Sequence, residues 1–433
     1  MFTKITLKNY RTHKLTTLEL GPVTLLIGNN NSGKSNLFAG LDHFAWLVRR
    51  ANPQHNKEAK VTVRDYFPHR YRLAGEGIEP MSITIDWTTG DQQQITYEIE
   101  LYKNDSNHVE MNSREGEVGC RERITIKLSN KESKEITSGY NKPSNLINLR
   151  RKIESDTSLP KLEKDLCRSF FRDFANIFSY HFQPAFLKGL ASAQPRSKHN
   201  LSDNEPTKKE NISIPVELGY YGDNFQDILI HTKEKEERTF SRFNALLRRF
   251  EAAKNFISVR PDNNNPQKVI WEFDLGRKET SRSLDDFPAE VVSDGILKAA
   301  VIALLISLRR PPTLTLLEEI ENGINPGNIQ LLIDWIWQSA TPNPAGNIPQ
   351  FILTSHSPSV LREFSEHLDN VYVTRLDKRR FQSDVRNLNT ALETLIGIGS
   401  VADGEIIEDD QGKRLVKIPK YRLVELWHSG AIG

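Results

Sequence analysis

The sequence has few cysteines and no long apolar run, and both shortages narrow the classes of protein it can belong to. Two cysteines, Cys120 and Cys167, among 433 residues exclude a disulfide framework and a four-cysteine metal site, and they are typical of a reducing cytoplasm. The longest apolar run, residues 299–308, has about half the length of a membrane-spanning helix. The N-terminus lacks the pattern of a signal peptide. We therefore expect a soluble cytoplasmic protein with no membrane partner.

Excess charge and internal repetition are also missing. The formal net charge of +2 is too balanced to indicate nucleic acid as the main partner. No segment sustains the heptads of a long coiled coil, and no repeat is present. Hydrophobic residues make up 37% of the chain, which is enough to fill the cores of roughly two or three compact units.

The most informative feature that is present is the run G-N-N-N-S-G-K-S at residues 28–35, which matches the phosphate-binding pattern G-x-x-x-x-G-K-[ST]. It follows an apolar run at 23–27 that is typical of a buried strand and precedes a helical pattern at 36–50. In such a loop the backbone N–H groups and the lysine bind the phosphates, and the serine hydroxyl binds Mg²⁺. The alternative is a glycine-rich turn without a ligand. The residues predicted to bind the nucleotide are Gly28, Asn29, Asn30, Asn31, Ser32, Gly33, Lys34, Ser35 and Asn36, with Lys34 also catalytic and Ser35 also a metal ligand.

A second candidate element is the run T-L-T-L-L-E-E-I-E-N-G-I-N-P, which reads as a buried strand ended by two glutamates. A triphosphatase needs a carboxylate near its Mg²⁺ and a group that orients the attacking water. In this arrangement Glu318 holds Mg²⁺ through water and Glu319 polarises the attacking water. The alternative is a strand that simply ends in solvated carboxylates.

Two shorter motifs lie before and after the acidic run. The motif V-S-D-G-I-L-K opens an apolar helix, so Ser293 and Gly295 lie at a helix N-terminus, where free N–H groups and the helix dipole favour an anion. Ordinary capping by Ser293 or Asp294 is the alternative. The motif I-L-T-S-H-S-P places His356 at the tip of a strand, where an imidazole can contact a γ-phosphate or serve as a structural hydrogen-bonding group.

Along the chain the elements come in the order phosphate loop, V-S-D-G motif, acidic strand and His356. In this order they resemble the ABC-type ATPase heads of the SMC, RecF and OLD group. The opening I-T-L-K-N-Y-R is similar to the family's N-terminal strand, and the resemblance implies that Arg11 contacts the nucleotide phosphates. The segments Y-G-D-N-F-Q-D-I-L, N-G-I-N-P and E-L-W-H-S-G-A-I-G are similar to bacterial OLD-like ATPases without coiled coils. The chain departs from the family pattern at Glu318, Ile320 and Asn325, where aspartate, proline and histidine are usual. Gln183 is the candidate for the family's Q-loop glutamine.

The resemblance implies an α/β fold, namely an ABC-type P-loop ATPase head with an antiparallel β subdomain and a mainly helical insertion. The phosphate loop and the acidic run lie near opposite ends of the chain, so one domain must be split by the insertion. The predicted division is residues 1–129 for the N-terminal part of the head, 130–285 for the insertion with a flexible loop at 189–211, and 286–433 for the C-terminal part.

Full-length OLD proteins carry a TOPRIM nuclease domain after the head. The acidic segment 405–410 is predicted to be a solvated loop and not the E…D-x-D metal cluster of such a nuclease.

Hydrophobic periodicity predicts the remaining elements. The other predicted elements are antiparallel strands at 81–87, 95–102 and 123–128, helices at 161–179, 225–232, 239–255, 294–308 and 329–339, and strands at 256–260, 269–275, 313–317, 350–354 and 371–374.

The resemblance also implies a homodimer or higher homo-oligomer that holds ATP and Mg²⁺ between its copies. In it, Ser293 and Gly295 act on the γ-phosphate bound by the other copy, and hydrolysis of ATP drives a conformational switch. Stand-alone ATPases of this kind resemble the ATPase subunits of two-gene anti-phage defence systems. The leading hypothesis is therefore a sensor and scaffold that controls a separately encoded effector, either a nuclease or a toxin.

Two other functions stay open. A nucleotide-gated binding module with negligible turnover would suit Glu318 in the place of aspartate. A RecF-like repair protein would bind double-stranded DNA through clusters of basic residues, although such clusters are also typical of solvated surfaces. The basic residues in question are Arg248 with Arg249, and Arg375 with Lys378, Arg379 and Arg380.

Overall fold

The structure is a computed structural model that describes most of the chain. The predicted flexible loop at 189–211 lies outside the described residues from residue 192 onward. The described residues are 1–50, 80–103, 118–128, 132–138, 148–191, 217–265, 268–276, 285–342, 348–410 and 412–432.

Seventeen strands and eleven α-helices are found within these ranges. The strands are β1 (Phe2–Tyr10), β2 (His13–Glu19), β3 (Val23–Ile27), β4 (Met81–Thr88), β5 (Gln94–Lys103), β6 (Val118–Lys127), β7 (Lys134–Thr137), β8 (Ile177–Tyr180), β9 (Phe256–Pro261), β10 (Val269–Phe273), β11 (Asp285–Pro288), β12 (Leu314–Leu317), β13 (Gln350–Ser355), β14 (Val371–Asp377), β15 (Gln382–Asn387), β16 (Glu405–Glu408) and β17 (Arg414–Lys417). The helices are α1 (Lys34–Arg50), α2 (Asn148–Ser155), α3 (Lys161–Ala175), α4 (Pro184–Leu187), α5 (Phe225–Lys235), α6 (Glu237–Leu247), α7 (Asp294–Ser307), α8 (Ile329–Ser339), α9 (Pro358–Arg362), α10 (Leu388–Gly397) and α11 (Lys420–His428).

The chain folds into two compact units, and each is discontinuous in sequence. The first unit consists of Met1–Ser179, Pro312–Leu316 and Ala340–Gly433. The second unit consists of Tyr180–Pro311 and Leu317–Ser339.

A six-stranded antiparallel sheet in the first unit has the order β2-β1-β4-β5-β6-β7. Side chains along β4 and β5 alternate between buried and partly exposed, as expected for a sheet with one face on a core. The buried face packs on aromatic side chains of α3, where the ring of Tyr97 lies 5.4 Å from that of Phe170 and 5.8 Å from that of Phe174. These contacts hold the sheet on the helix by burial of large apolar surfaces.

Glu122 is a carboxyl on the buried side of this sheet. Burial raises its pKa to about 8, although the hydroxyl of Tyr97 donates to Glu122 Oε1 at 2.7 Å. The folded protein therefore keeps a proton that the unfolded chain releases around its ordinary pKa of 4.5. Between these two values the folded state binds more protons, so the free energy of unfolding falls as the pH rises from 4.5 to 8.

The Glu122→Gln variant should lose this pH dependence, because the amide stays uncharged and still accepts from Tyr97. We expect the wild type to lose about 2 kcal/mol of unfolding free energy relative to this variant between about pH 6 and pH 8, as urea unfolding at both pH values would measure. Glu100→Gln on β5 is the control and should keep the wild-type dependence. Equal pH dependence in Glu122→Gln and wild type would contradict a protonated Glu122.

The second large sheet is six-stranded, with the order β15-β14-β3-β13-β12-β8. Strand β3 pairs in parallel with both β13 and β14, and all five of its residues are buried, as is typical of a central parallel strand. Two hydrogen bonds advance in the same direction along β8 and β12, from Thr313 N–H to Asn176 O and from Glu318 N–H to Tyr180 O, so these strands are also parallel. In sequence, the phosphate loop directly follows β3, His356 directly follows β13, and the two glutamates directly follow β12.

The second unit contains α4 to α8 and a three-stranded antiparallel sheet of order β11-β10-β9. The ring of Trp271, which is fully buried, lies 5.2 Å from that of Phe256 and 6.3 Å from that of Phe225. Helix α7 is buried along nearly its whole length. The motif V-S-D-G lies at the N-terminal end of this buried helix.

The predicted fold class is confirmed, since the protein is α/β with a parallel sheet, an antiparallel sheet and a mainly helical insertion. The predicted helix at 329–339 and the three predicted antiparallel strands are also confirmed, with small changes of boundary. Among the described residues no helix is both long and apolar enough to cross a membrane.

Three predicted elements are wrong. The helix predicted at 161–179 ends at Ala175, because the next residues form β8 and gain backbone hydrogen bonds to the neighbouring strand. The helix predicted at 239–255 ends at Leu247, and a turn and a short 3₁₀ helix (Glu251–Ala253) replace its second half. The predicted acidic loop at 405–410 includes β16, which pairs with β17 and places Glu408 opposite Arg414.

Candidate nucleotide site

The phosphate loop of the first unit is folded around the ammonium group of Lys34. Lys34 Nζ donates to Gly28 O at 2.7 Å, to Asn29 O at 3.0 Å and to Ser32 Oγ at 3.3 Å. Helix α1 begins at Lys34, so the N–H groups of its first turn lie at the loop together with the positive end of the helix dipole. The loop therefore presents the donors that a phosphate group requires.

Both glycines of the motif are required by the backbone around them. Gly33 has φ of 105°, and a Cβ there would lie 2.0 Å from Ser383 Oγ. A Cβ on Gly28 would lie 2.2 Å from Thr374 O. Asn31 also adopts a left-handed backbone, with φ of 64°, which asparagine tolerates better than most residues.

Side chains outside the motif hold the loop in this shape. His13 is fully buried, with Nε2 at 2.9 Å from Gly33 O and Nδ1 at 2.8 Å from Thr16 Oγ1. Burial lowers the pKa of His13, so the ring is neutral near pH 7. We assign the proton to Nε2, which then donates to Gly33 O, while Nδ1 accepts from Thr16. Ser383 Oγ donates to Ser32 O at 2.8 Å.

Arg11 and Asn36 meet beside the first turn of α1. Arg11 Nη1 donates to Asn36 Oδ1 at 3.1 Å, and Asn36 Nδ2 donates to Thr12 Oγ1 at 3.0 Å. Arg11 has a left-handed backbone with φ of 48°, and its guanidinium lies 5.3 Å from the centre of the Tyr10 ring. The structure thus brings this arginine to the helix that follows the phosphate loop. The loop side chains that are exposed are Asn29, Asn30, Asn31 and Ser35.

His356 follows β13 in the same unit and is exposed. The residue before it, Ser355, accepts a hydrogen bond from Gly28 N–H at 3.3 Å, so the histidine is next in sequence to a direct partner of the loop. Ser357 caps α9, and Pro358 is the first residue of that helix.

The two glutamates after β12 belong to the second unit and have different surroundings. Glu318 is buried, and its Oε1 accepts a hydrogen bond from the hydroxyl of Tyr220. Glu319 is more exposed, with Oε2 at 3.4 Å from His181 Nε2. Its backbone is left-handed, with φ of 48°, a conformation that non-glycine residues adopt mainly at turns and functional sites.

The motif V-S-D-G forms the N-terminus of α7. Ser293 Oγ accepts from Ile296 N–H at 3.4 Å, so this side chain caps the helix. Asp294 Oδ1 lies 2.7 Å from Lys188 Nζ. A Cβ on Gly295 would lie 3.2 Å from Gly323 O, which shows how closely the start of α7 approaches the segment after the two glutamates.

The remaining candidates from the sequence are the possible Q-loop glutamine and the two clusters of basic residues. Gln183 precedes α4, and its N–H donates to Tyr221 O at 3.3 Å. Arg248 Nε donates to Phe256 O at 2.7 Å and so connects α6 to β9. The turn between β14 and β15 carries three consecutive exposed cations, residues 378–380, followed by Phe381, whose side chain is 64% exposed.

Sequence reasoning missed four supporting side chains: His13 and Ser383 at the phosphate loop of the first unit, and Tyr220 and His181 beside the two glutamates of the second unit. Tyr220 belongs to no recognised motif, and His181 precedes Gln183 by two residues without any pattern of its own. No group of three or more histidine, cysteine, aspartate or glutamate side chains suited to a metal occurs within the described ranges.

A family model described as "AAA domain, putative AbiEii toxin, Type IV TA system" matches residues 23–362 of the chain. No curated protein matches the sequence. Several solved structures are similar. The SMC head domain from Thermotoga maritima is 12% identical with a TM-score of 0.40, over 89% of this chain and 98% of that one. An Smc head bound to the C-winged helix domain of ScpA is 14% identical with a TM-score of 0.40, over 90% and 99%. An Smc head with an extended coiled coil, bound to the C-terminal domain of ScpA derived from Pyrococcus furiosus, is 12% identical with a TM-score of 0.38, over 92% and 99%.

Proposed function

Since the chain belongs to this AAA-domain family, we propose that it binds ATP with Mg²⁺ and hydrolyses it to ADP and phosphate. The conformation of the phosphate loop is the observation that carries the proposal. Its lysine ammonium is enclosed by the loop's own oxygens, and the loop leads directly into α1. The phosphates of ATP would replace loop oxygens as partners of Lys34, with Arg11 as a further cation beside α1.

The predicted metal ligands have the chemistry that Mg²⁺ prefers. The hydroxyl of Ser35 would bind Mg²⁺ directly, and the carboxylate of Glu318 would hold it through water. Mg²⁺ is usually held by one or two such groups together with phosphate oxygens and water. When bound, Mg²⁺ would neutralise charge on the phosphates. In this proposal, the hydrogen bond from Tyr220 orients the Glu318 carboxylate.

Glu319 is the proposed group that polarises the attacking water. Its carboxylate is partly exposed and is oriented by His181, and its backbone is held in an unusual turn. A carboxylate in this position would accept a proton as the water attacks the γ-phosphate. His356 is proposed to contact the γ-phosphate, a role that its exposed position after β13 supports.

We further propose that two copies associate head to tail, so that Ser293 and Gly295 of one copy bind the γ-phosphate held by the other. The N-terminus of α7, a helix of 14 residues, offers N–H groups and a dipole for this contact. ATP would then stabilise the closed pair because it contacts both copies, and hydrolysis would remove that preference.

The proposed output of this cycle is control of a separately encoded effector, either a nuclease or a toxin, as in OLD-like anti-phage systems. The description of the family refers to a toxin–antitoxin system, which is compatible with an ATPase that acts together with a second component. To test this, the tagged protein would be isolated from its own cell at native expression, with and without a slowly hydrolysed ATP analogue. A stoichiometric partner with a nuclease or toxin domain is expected.

The alternative is a RecF-like protein that binds duplex DNA when ATP is bound. The exposed turn between β14 and β15 favours it, because three cations stand next to an exposed aromatic ring. Recovery of the protein with DNA and no protein partner, together with duplex binding that weakens steeply with salt, would support this alternative and end the effector proposal.

A further inference from the structure

Lys298 is a buried lysine on α7, one turn after Ser293 and Gly295. Only 2% of the residue is exposed, and its neighbours along the helix are apolar. Nζ donates to Phe182 O at 3.1 Å and to Glu319 O at 3.4 Å, and it lies 5.9 Å from the centre of the Phe182 ring. The side chain therefore joins three segments of the second unit: α7, the residues after β8 and the turn after β12.

Burying a lysine ammonium is unfavourable unless its hydrogen bonds offset the loss of hydration. Burial lowers the pKa of Lys298 to about 8, since the charged form loses its hydration. An apolar side chain of similar length would fill the space without that cost. What the ammonium adds is a pair of directed hydrogen bonds to backbone carbonyls, and these fix positions and not merely volume.

The carbonyl that Lys298 contacts belongs to the residue with the most unusual backbone in the acidic turn. Glu319 has φ of 48°, and its carbonyl also accepts from Asn322 N–H at 3.0 Å. Its side chain is held separately, by His181. A fixed Glu319 carbonyl restrains the backbone and so the direction of the Cα–Cβ bond, and the contact with His181 restrains the carboxylate at the other end of the side chain.

A second contact joins the same two segments. Gly295 lies against Gly323 O, at the other end of the turn that begins at Glu319. The start of α7 thus contacts this turn at two points, one through Lys298 and one through backbone packing. A displacement of the N-terminus of α7 would therefore alter the contact with Glu319 O and the contact with Gly323 O.

We propose that Lys298 is a positioning residue that connects the anion-binding N-terminus of α7 to the backbone of Glu319, so that engagement of Ser293 and Gly295 orients the carboxylate that polarises water. This inference rests on the proposed ATPase function and adds a route of regulation to it. In the resulting arrangement, hydrolysis is fast only when α7 is held by a ligand, and nucleotide binding by the phosphate loop does not depend on Lys298.

The test compares Lys298→Met with Leu304→Ala, which removes a buried apolar side chain from the same helix and leaves the contacts of Lys298 unchanged. For Lys298→Met we expect kcat to fall about 10- to 100-fold with the Kd for an ATP analogue within about threefold of wild type. Leu304→Ala should keep the wild-type kcat below its melting temperature. Lys298→Arg retains a charged donor and should restore most of kcat.

A wild-type kcat in Lys298→Met would overturn the proposal, as would an equal loss of kcat in Leu304→Ala. If Lys298→Met does not fold, Lys298→Gln takes its place, because its amide keeps a donor. A kcat below that of the wild type is then expected, and a wild-type kcat in Lys298→Gln, or an equal loss in Leu304→Ala, would overturn the proposal.

A readout that needs no turnover separates this inference from the ATPase proposal. Hydrogen exchange at the amide of Asn322, which shares the Glu319 carbonyl, should be about tenfold faster in the Lys298 variant than in Leu304→Ala. Faster exchange in a protein whose wild type does not hydrolyse ATP would end the proposed function but leave the structural connection intact. Unchanged exchange would overturn the connection itself.

Discussion

The Glu319→Gln variant should hydrolyse ATP at least about 100-fold more slowly than the wild type while binding it with similar affinity. Removing a positioned general base costs roughly 10²- to 10⁴-fold, because the amide cannot accept the proton of the attacking water. Glutamine keeps the size of the side chain and a hydrogen-bonding group for His181. If two copies close around ATP, the variant should also accumulate as an ATP-bound dimer, which mass measurement in solution would detect.

Glu234→Gln is the control, since it removes a negative charge from an exposed position on α5 of the same unit. It should retain wild-type turnover and dissociate after hydrolysis. A Glu319→Gln protein that turns over normally, or that stays monomeric with saturating ATP and Mg²⁺, would show that this residue is not the base of a shared site.

The Lys34→Met variant should bind ATP about 100-fold or more weakly and should show no turnover as a consequence. Each charge-assisted hydrogen bond from the ammonium to a phosphate oxygen contributes roughly 1.5–3 kcal/mol. The substitution also removes the bonds to Gly28 O and Asn29 O that shape the loop. Calorimetric titration with ATP measures the loss directly.

Lys14→Met, at an exposed position on β2 in the same unit, is the control and should bind ATP as the wild type does. A dissociation constant for Lys34→Met within threefold of the wild-type value would mean that the phosphates bind elsewhere. The glycine-rich turn without a ligand would then be the correct interpretation of residues 28–35.

What the sequence could predict about the site is what is contiguous in the chain. The phosphate loop needs two glycines, a lysine and a serine at fixed spacing after a buried strand, and the structure has both glycines where a Cβ would not fit. The strand before Glu318 and the helix after Ser293 follow from apolar patterns of the expected period. Local spacing was sufficient for these elements.

The supporting side chains could not be predicted in this way, because their partners are distant in sequence. Ser383 bonds to Ser32 across almost the whole chain, and the contact of Tyr220 with Glu318 depends on the pairing of β8 with β12. Lys298 looks like one polar residue in an apolar helix, and its role emerges only when the carbonyls of Phe182 and Glu319 are brought to it. The misassigned residues 177–179 have the same cause, since pairing between strands overrode a helical period.

The most direct test of the account mixes two variants that are inactive for different reasons. Lys34→Met removes nucleotide binding from its own copy, and Ser293→Arg places a bulky side chain where α7 would contact the nucleotide of the other copy. Each variant alone should have almost no ATPase activity. If the site is shared, an equimolar mixture should recover about a quarter of the wild-type rate, because half of the dimers are mixed and each has one intact site of two. A mixture no more active than the two variants measured separately would contradict a site shared between copies.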